Sequence, residues 1–97
     1  MLIRIVRMTF QDEKVADFLR IFESSKDKIR HFEGCSHLEL LRDLDYPHVF
    51  STYSHWENEQ ALEKYRQSEL FRNTWAATKI LFADKPLAFS HQVFMTA

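Results

Sequence analysis

One glycine and one cysteine among ninety-seven residues exclude several common chemistries at once. A phosphate-cradling loop needs clustered glycines so that bare backbone N–H groups can approach the anion, and Gly34 stands alone. Cys35, equally alone, rules out an internal disulfide and a cysteine metal cluster, and reads as a small buried thiol. No G-x-S-x-G elbow is present to carry a nucleophilic serine. No two of the five histidines stand at helical i, i+4 spacing and no HExxH occurs, so no metal centre is expected. Charge of one sign is missing too. The 13 basic and 14 acidic residues are interspersed, and the net charge of -1 offers no footprint for nucleic acid or an anionic membrane. Long apolar runs are also absent at the start, where Arg4 and Arg7 interrupt MLIRIVRMTF, too charged for a signal peptide or a membrane span. The expected location is the cytoplasm.

Aromatic surface is what the chain has in excess. Nine Phe, three Tyr and two Trp sit in a chain of one-domain length whose 45% hydrophobic and 28% charged residues are globular in balance. A chain this short buries about two-thirds of its unfolded surface, so its core is thin. The surplus rings must be hidden in a pocket, a subunit interface, or both.

Periodicity supplies the elements. Residues 2–10 alternate, with Ile3, Ile5, Arg7 and Thr9 on one face and Leu2, Arg4, Val6, Met8 and Phe10 on the other, which predicts a strand. From Glu13 to Phe32 the apolar spacing changes to three and four, predicting a helix with Asp12 as its cap and Gly34 beyond its end. Strands are predicted over 35–43 and 48–56 around the DLDYP connection, then a helix over 57–67. Ser68 caps a further helix carrying the stripe Phe71, Trp75, Thr78 and Phe82, and DKP stops it before a last strand over 87–95. The order is βαββαβ in a single domain over 1–97. With right-handed crossovers it gives an α+β, ferredoxin-like fold: a four-stranded antiparallel sheet of order 4-1-3-2 with helices on one face. Strands one and three carry apolar or aromatic residues on both faces, leaving no face for water. A homodimer through the sheet faces is therefore expected.

If the hairpin pairs symmetrically about DLDYP, residues summing to 91 face one another: Cys35 with Trp56, His37 with Ser54, Glu39 with Thr52. That register gathers an imidazole, a carboxylate, two hydroxyls and an indole on one surface, making His37 a candidate general base. His91 on the last strand is the second candidate, since an imidazole titrates where proton transfer is useful. His31 and His48 fall near element ends and read as solvated, and His55 as a residue of the subunit seam. An RNA-recognition sheet needs a basic, Gly-aromatic open strand, which is not present.

The segments FEGC, LLRDLDYPHVFSTYSHWENEQALEKY and SELFRNTWAATKILF resemble the antibiotic biosynthesis monooxygenase (ABM) family of dimeric α+β barrels, over nearly the whole chain. The Trp ending the third strand, followed by an acidic helix start and S-E-x-F, carries the likeness. The family includes cofactor-free oxygenases of polycyclic aromatics, quinol monooxygenases and haem-degrading monooxygenases. The haem-degrading branch is similar in its S-x-x-F helix but uses an Asn, a Trp and an iron-ligating His where this chain has Val6, Tyr65 and Trp75. Val6 cannot hydrogen-bond an oxygen species and Trp75 has no lone pair for iron, so haem degradation is not expected. The resemblance implies that these three positions line a cavity with Phe22 and Phe71 nearby.

The expectation is a cofactor-independent monooxygenase of a phenolic, quinol-like or polycyclic aromatic small molecule. His37 or His91 is its base, Tyr65 or Ser54 holds a substrate oxygen, and Trp56 and Trp75 are walls. The alternative is a non-catalytic dimeric barrel that binds a small apolar ligand, as a stress-response or accessory module. An isomerase on a muconolactone-like scaffold would use the same base.

Overall fold

The N-terminal alternation becomes β1 (Leu2–Thr9), one of the two central strands of a computed structural model that describes residues 1–97. After it come a single 3₁₀ turn (Asp12–Lys14), α1 (Val15–Arg30), β2 (Cys35–Arg42), β3 (Val49–Trp56), α2 (Glu59–Arg66), α3 (Glu69–Lys79) and β4 (Leu87–His91). The strands form one antiparallel sheet of order β2-β3-β1-β4, the expected order read from the other edge. Alternation along β1 sorts the sheet into two faces. Leu2, Met8 and Phe10 turn toward the helices and are buried, joining two clusters: Met8, Phe10, Phe18, Phe50 and Leu81 at one end, and Leu2, Cys35, Trp56 and Leu62 at the other. No helix is long and apolar enough to cross a membrane.

Local chemistry explains the boundaries. Ser68 Oγ accepts the Phe71 N–H at 3.1 Å and donates to the Tyr65 carbonyl at 2.6 Å, so one hydroxyl ends α2 and starts α3. Asn58 Oδ1 accepts the Ala61 N–H at 2.9 Å, which starts α2 two residues later than the sequence suggests. Asp12 is not a cap. The chain enters α1 through the 3₁₀ turn with no side-chain cap, and Asp12 instead meets His48 at 3.5 Å. Phe82 lies beyond α3, in an isolated bridge with Phe10. The last strand is shorter than its alternation implies. His91 pairs with Ile3 at the start of β1, leaving almost no further partner backbone, and residues 92–97 run on exposed and irregular.

The hairpin register differs from the symmetric one. Cys35 faces Trp56 as expected, but a bulge between Cys35 and His37 inserts Ser36. From there His37 faces His55, Leu38 faces Ser54 and Glu39 faces Tyr53. The turn agrees with the shifted centre, because Asp43 Oδ2 accepts both the Asp45 and Tyr46 N–H groups at 3.0 Å. Those bonds, with Arg7 beside it, hold the Asp43 carboxyl below its ordinary range. A one-residue shift exchanges faces. Leu38 and Leu40 therefore turn inward with Thr52 and Ser54, and His37 and Glu39 turn outward with Tyr53 and His55.

Candidate functional site

Small side chains on the helix-facing side of the central strands leave space that large rings on the helices do not fill. Val6 of β1, Thr52 and Ser54 of β3 and Ala88 of β4 form the floor of a cavity of about 280 Å³. A continuous run of rings makes the wall. Trp56 stacks on Tyr65 at 4.8 Å, and Tyr65 meets Phe71 edge-on at 5.2 Å. Phe71 lies nearly parallel to Trp75 at 5.8 Å, and Trp75 meets Phe82 at 5.5 Å. Phe22 closes the α1 side. The helical spacing of Phe71 and Trp75, four residues apart, puts both rings on the face of α3 that looks at the sheet.

The polar groups of this space are few. The buried Ser54 hydroxyl accepts the Trp56 indole N–H at 3.0 Å, which fixes the indole plane against Tyr65. Tyr65 has its phenol pushed far above the ordinary value, first by burial and then by the nearby Cys35 thiol. It stays protonated and can only donate to, or accept from, a bound oxygen; it is not a base. Cys35 is itself pushed up by burial, against the opposing effects of the His37 backbone and the Arg30 charge, so it stays a thiol and donates to the His37 carbonyl at 3.6 Å. Two arginines also reach the cavity, Arg4 from the inner face of β1 and Arg66 from the last turn of α2. Arg4 is held below its ordinary value by burial, then by the neighbouring Arg66 charge, with Glu63 opposing. No His, Asp, Glu or Lys lines the cavity.

Of the nine residues nominated from sequence, seven converge here: Val6, Phe22, Ser54, Trp56, Tyr65, Phe71 and Trp75. The two histidines do not. His37 lies across the sheet, hydrogen-bonded to Glu39 at 2.8 Å with its ring 4.8 Å from that of His55. His91 lies on the same far face, stacked on Phe89 at 6.2 Å. The supposed grouping of His37 and Glu39 with Ser54, Thr52 and Trp56 is overturned by the bulge, which sends the first two to the far face. Sequence reasoning passed over Arg4 and Arg66. The signal for Arg4 was available, as the one charge among Leu2, Val6, Met8 and Phe10 on the inward face of β1.

The sequence model of the antibiotic biosynthesis monooxygenase family matches residues 1–77. Among solved structures the fold is similar to that of an antibiotic biosynthesis monooxygenase, at 18% identity and a TM-score of 0.92, over 98% of this chain and 100% of that one. It is similar to a conserved protein from Methanosarcina mazei Go1, at 19% identity and a TM-score of 0.88, over 95% of this chain and 92% of that one. A Mycobacterium tuberculosis protein aligns at 16% identity and a TM-score of 0.89, over 99% of this chain and 97% of that one. At these identities the likeness is one of fold. No curated protein matches the sequence.

Proposed function

The chain belongs to the antibiotic biosynthesis monooxygenase family, and on that premise we propose that it is a cofactor-independent monooxygenase of a flat phenolic or quinol-like molecule. The observation that carries this reading is the unbroken run of Trp56, Tyr65, Phe71 and Trp75 beside a floor of small residues. Such a slot grips a planar apolar molecule by stacking and orients it with the Ser54 and Tyr65 hydroxyls. An electron-rich phenolate can pass electrons to dioxygen itself, so the protein must bind, orient and exclude water. The balance closes without an external reductant: a phenol and dioxygen give a quinone and water.

The test is oxygen uptake by the purified protein with a panel of quinols. Uptake is expected, and Trp75→Ala should raise KM about five- to tenfold, the worth of one lost stacking wall. His37→Ala and His91→Ala should turn over normally, because the sheet separates both rings from the cavity. Loss of turnover in either would return it to the role of base. Retention of a small aromatic ligand with no uptake for any quinol would favour the non-catalytic barrel, a reading to which the absence of any acidic or imidazole side chain in the cavity lends support.

The proposal includes a homodimer with the far sheet faces packed together. Ile3, Ile5, Tyr53, His55 and Phe89 share that face, and Leu87 and Phe89 are half-exposed in one chain. Light scattering should give twice the chain mass of 11.7 kDa, and Ile5→Asp should give the monomer. A monomeric wild-type chain at micromolar concentration would sink this part of the proposal.

A further inference from the structure

A reaction through a phenolate needs the phenol proton removed, yet nothing lining the cavity can take it. The two cations on its edge offer another route. Arg4 stands on β1 between Ser54 of β3 and Ser90 of β4, and its one side-chain hydrogen bond is to the neutral Ser90 hydroxyl at 2.9 Å. It reaches the cavity without a carboxylate in ion-pair range. Arg66 meets Glu63 at 3.3 Å, and Gln67 shares that carboxylate through its other oxygen at 3.1 Å. Two positive charges therefore face one negative charge, leaving a single uncompensated cation beside an apolar slot. A guanidinium has five donors in a fixed plane, and most of those on Arg4 remain available.

We propose that Arg4 and Arg66 form an oxyanion subsite that holds a phenolic substrate as its phenolate, doing the work of a base by charge alone. This rests on the proposal that the cavity takes a phenol. The phenol proton leaves to water, and the bound oxyanion completes the neutrality of the Arg4–Arg66–Glu63 group. Opposite charges within about 4–6 Å favour an ionised form by roughly one to three pKa units. Burial of Arg4 and its repulsion by Arg66 act in the same direction, since both are relieved when an anion arrives. Tyr65, the other titratable group on the wall, stays protonated and adds a neutral donor.

The test uses para-nitrophenol, whose phenolate is coloured, and para-nitroanisole as its neutral counterpart, bound to the full chain without reading turnover. Bound nitrophenol should ionise at least about one pKa unit below its free value, a tenfold preference for the anion. Arg66→Gln and Arg4→Gln should each weaken the phenolate about tenfold and leave nitroanisole within about twofold, while Arg4→Lys keeps most of the shift. Arg66 is about half exposed, 48% for its side chain, so its variant should fold even where an Arg4 variant does not. An unshifted ionisation, failure of both probes to bind, or equal weakening of both probes in the variants would overturn the subsite. Absence of oxygen uptake alongside a shifted ionisation would strike only at the proposed activity.

Discussion

Trp56→Ala is expected to lower the unfolding free energy by about 3–5 kcal/mol, the range for truncating a large buried ring. Domains of this kind are stable by only about 5–15 kcal/mol, so the loss removes a large share of the total while leaving a folded baseline to measure from. Trp56 is 1% exposed and sits where three parts of the molecule meet. It faces Leu2 on β1 and Cys35 on β2, and packs with Leu62 of α2. Its ring stacks on Tyr65 and meets Phe32 at 6.4 Å, tying α2 and the end of α1 to the sheet. Ala at this site leaves a void opening into the existing cavity, and strands the Ser54 hydroxyl without its donor. Urea melts should show the midpoint falling sharply with little change in slope. Trp56→Phe, which keeps most of the volume but loses the indole N–H, should cost far less. A Trp56→Ala midpoint close to wild type would mean that Trp56 is a cavity wall only, and does not hold the sheet to the helices.

Gly34→Ala should cost about 2–5 kcal/mol, from two separable causes. Gly34 has φ +89°, a conformation that costs an L residue about 1–2 kcal/mol. A Cβ placed there would also lie 2.5 Å from the Ala61 Cβ, so α2 would have to move away from the β2–β3 end of the sheet. Glu57 donates its N–H to the Gly34 carbonyl at 2.8 Å, and that bond resists the movement. Overpacking of this kind adds about 1–3 kcal/mol. The causes separate in a double-mutant cycle. Ala61→Gly should recover the contact part in the Gly34→Ala background and none of the backbone part. Full recovery would show that the conformation costs nothing, and no recovery that the close approach is harmless.

The parts of the fold that repeat were the parts that could be read. β1 declares its faces because apolar residues recur at every second position, and α1 because Phe18, Phe22, Ser25 and Ile29 recur at three and four. The break between α2 and α3 is legible because the Ser68 hydroxyl caps a helix by local chemistry alone. Most of the cavity wall followed from the aromatic stripe and from resemblance to the family. What failed depends on non-local pairing. The end of β4 is set by where β1 starts, so the apolar alternation through Val93 and Met95 gave no warning. The register of β2 turns on one bulge, and no periodicity marks Ser36 as the extra residue. With the register went the assignment of His37 to the site. Arg4 was passed over because a charged strand residue is commonly solvated, whereas this one is inward and lacks a carboxylate.

The bulge at Ser36 behaves like a frameshift that the strand corrects within one residue. Read straight through, the ladder from Cys35 would turn His37, Glu39 and Leu41 toward the helices and Leu38 and Leu40 away from them. The extra residue restores the frame, keeping imidazole and carboxylate out of the cavity and two leucines beneath it. A chain one residue shorter at this point would reach the same faces by plain alternation. The chemistry of the cavity is therefore indifferent to the loss of Ser36 itself, but hostage to any other change of length in the hairpin.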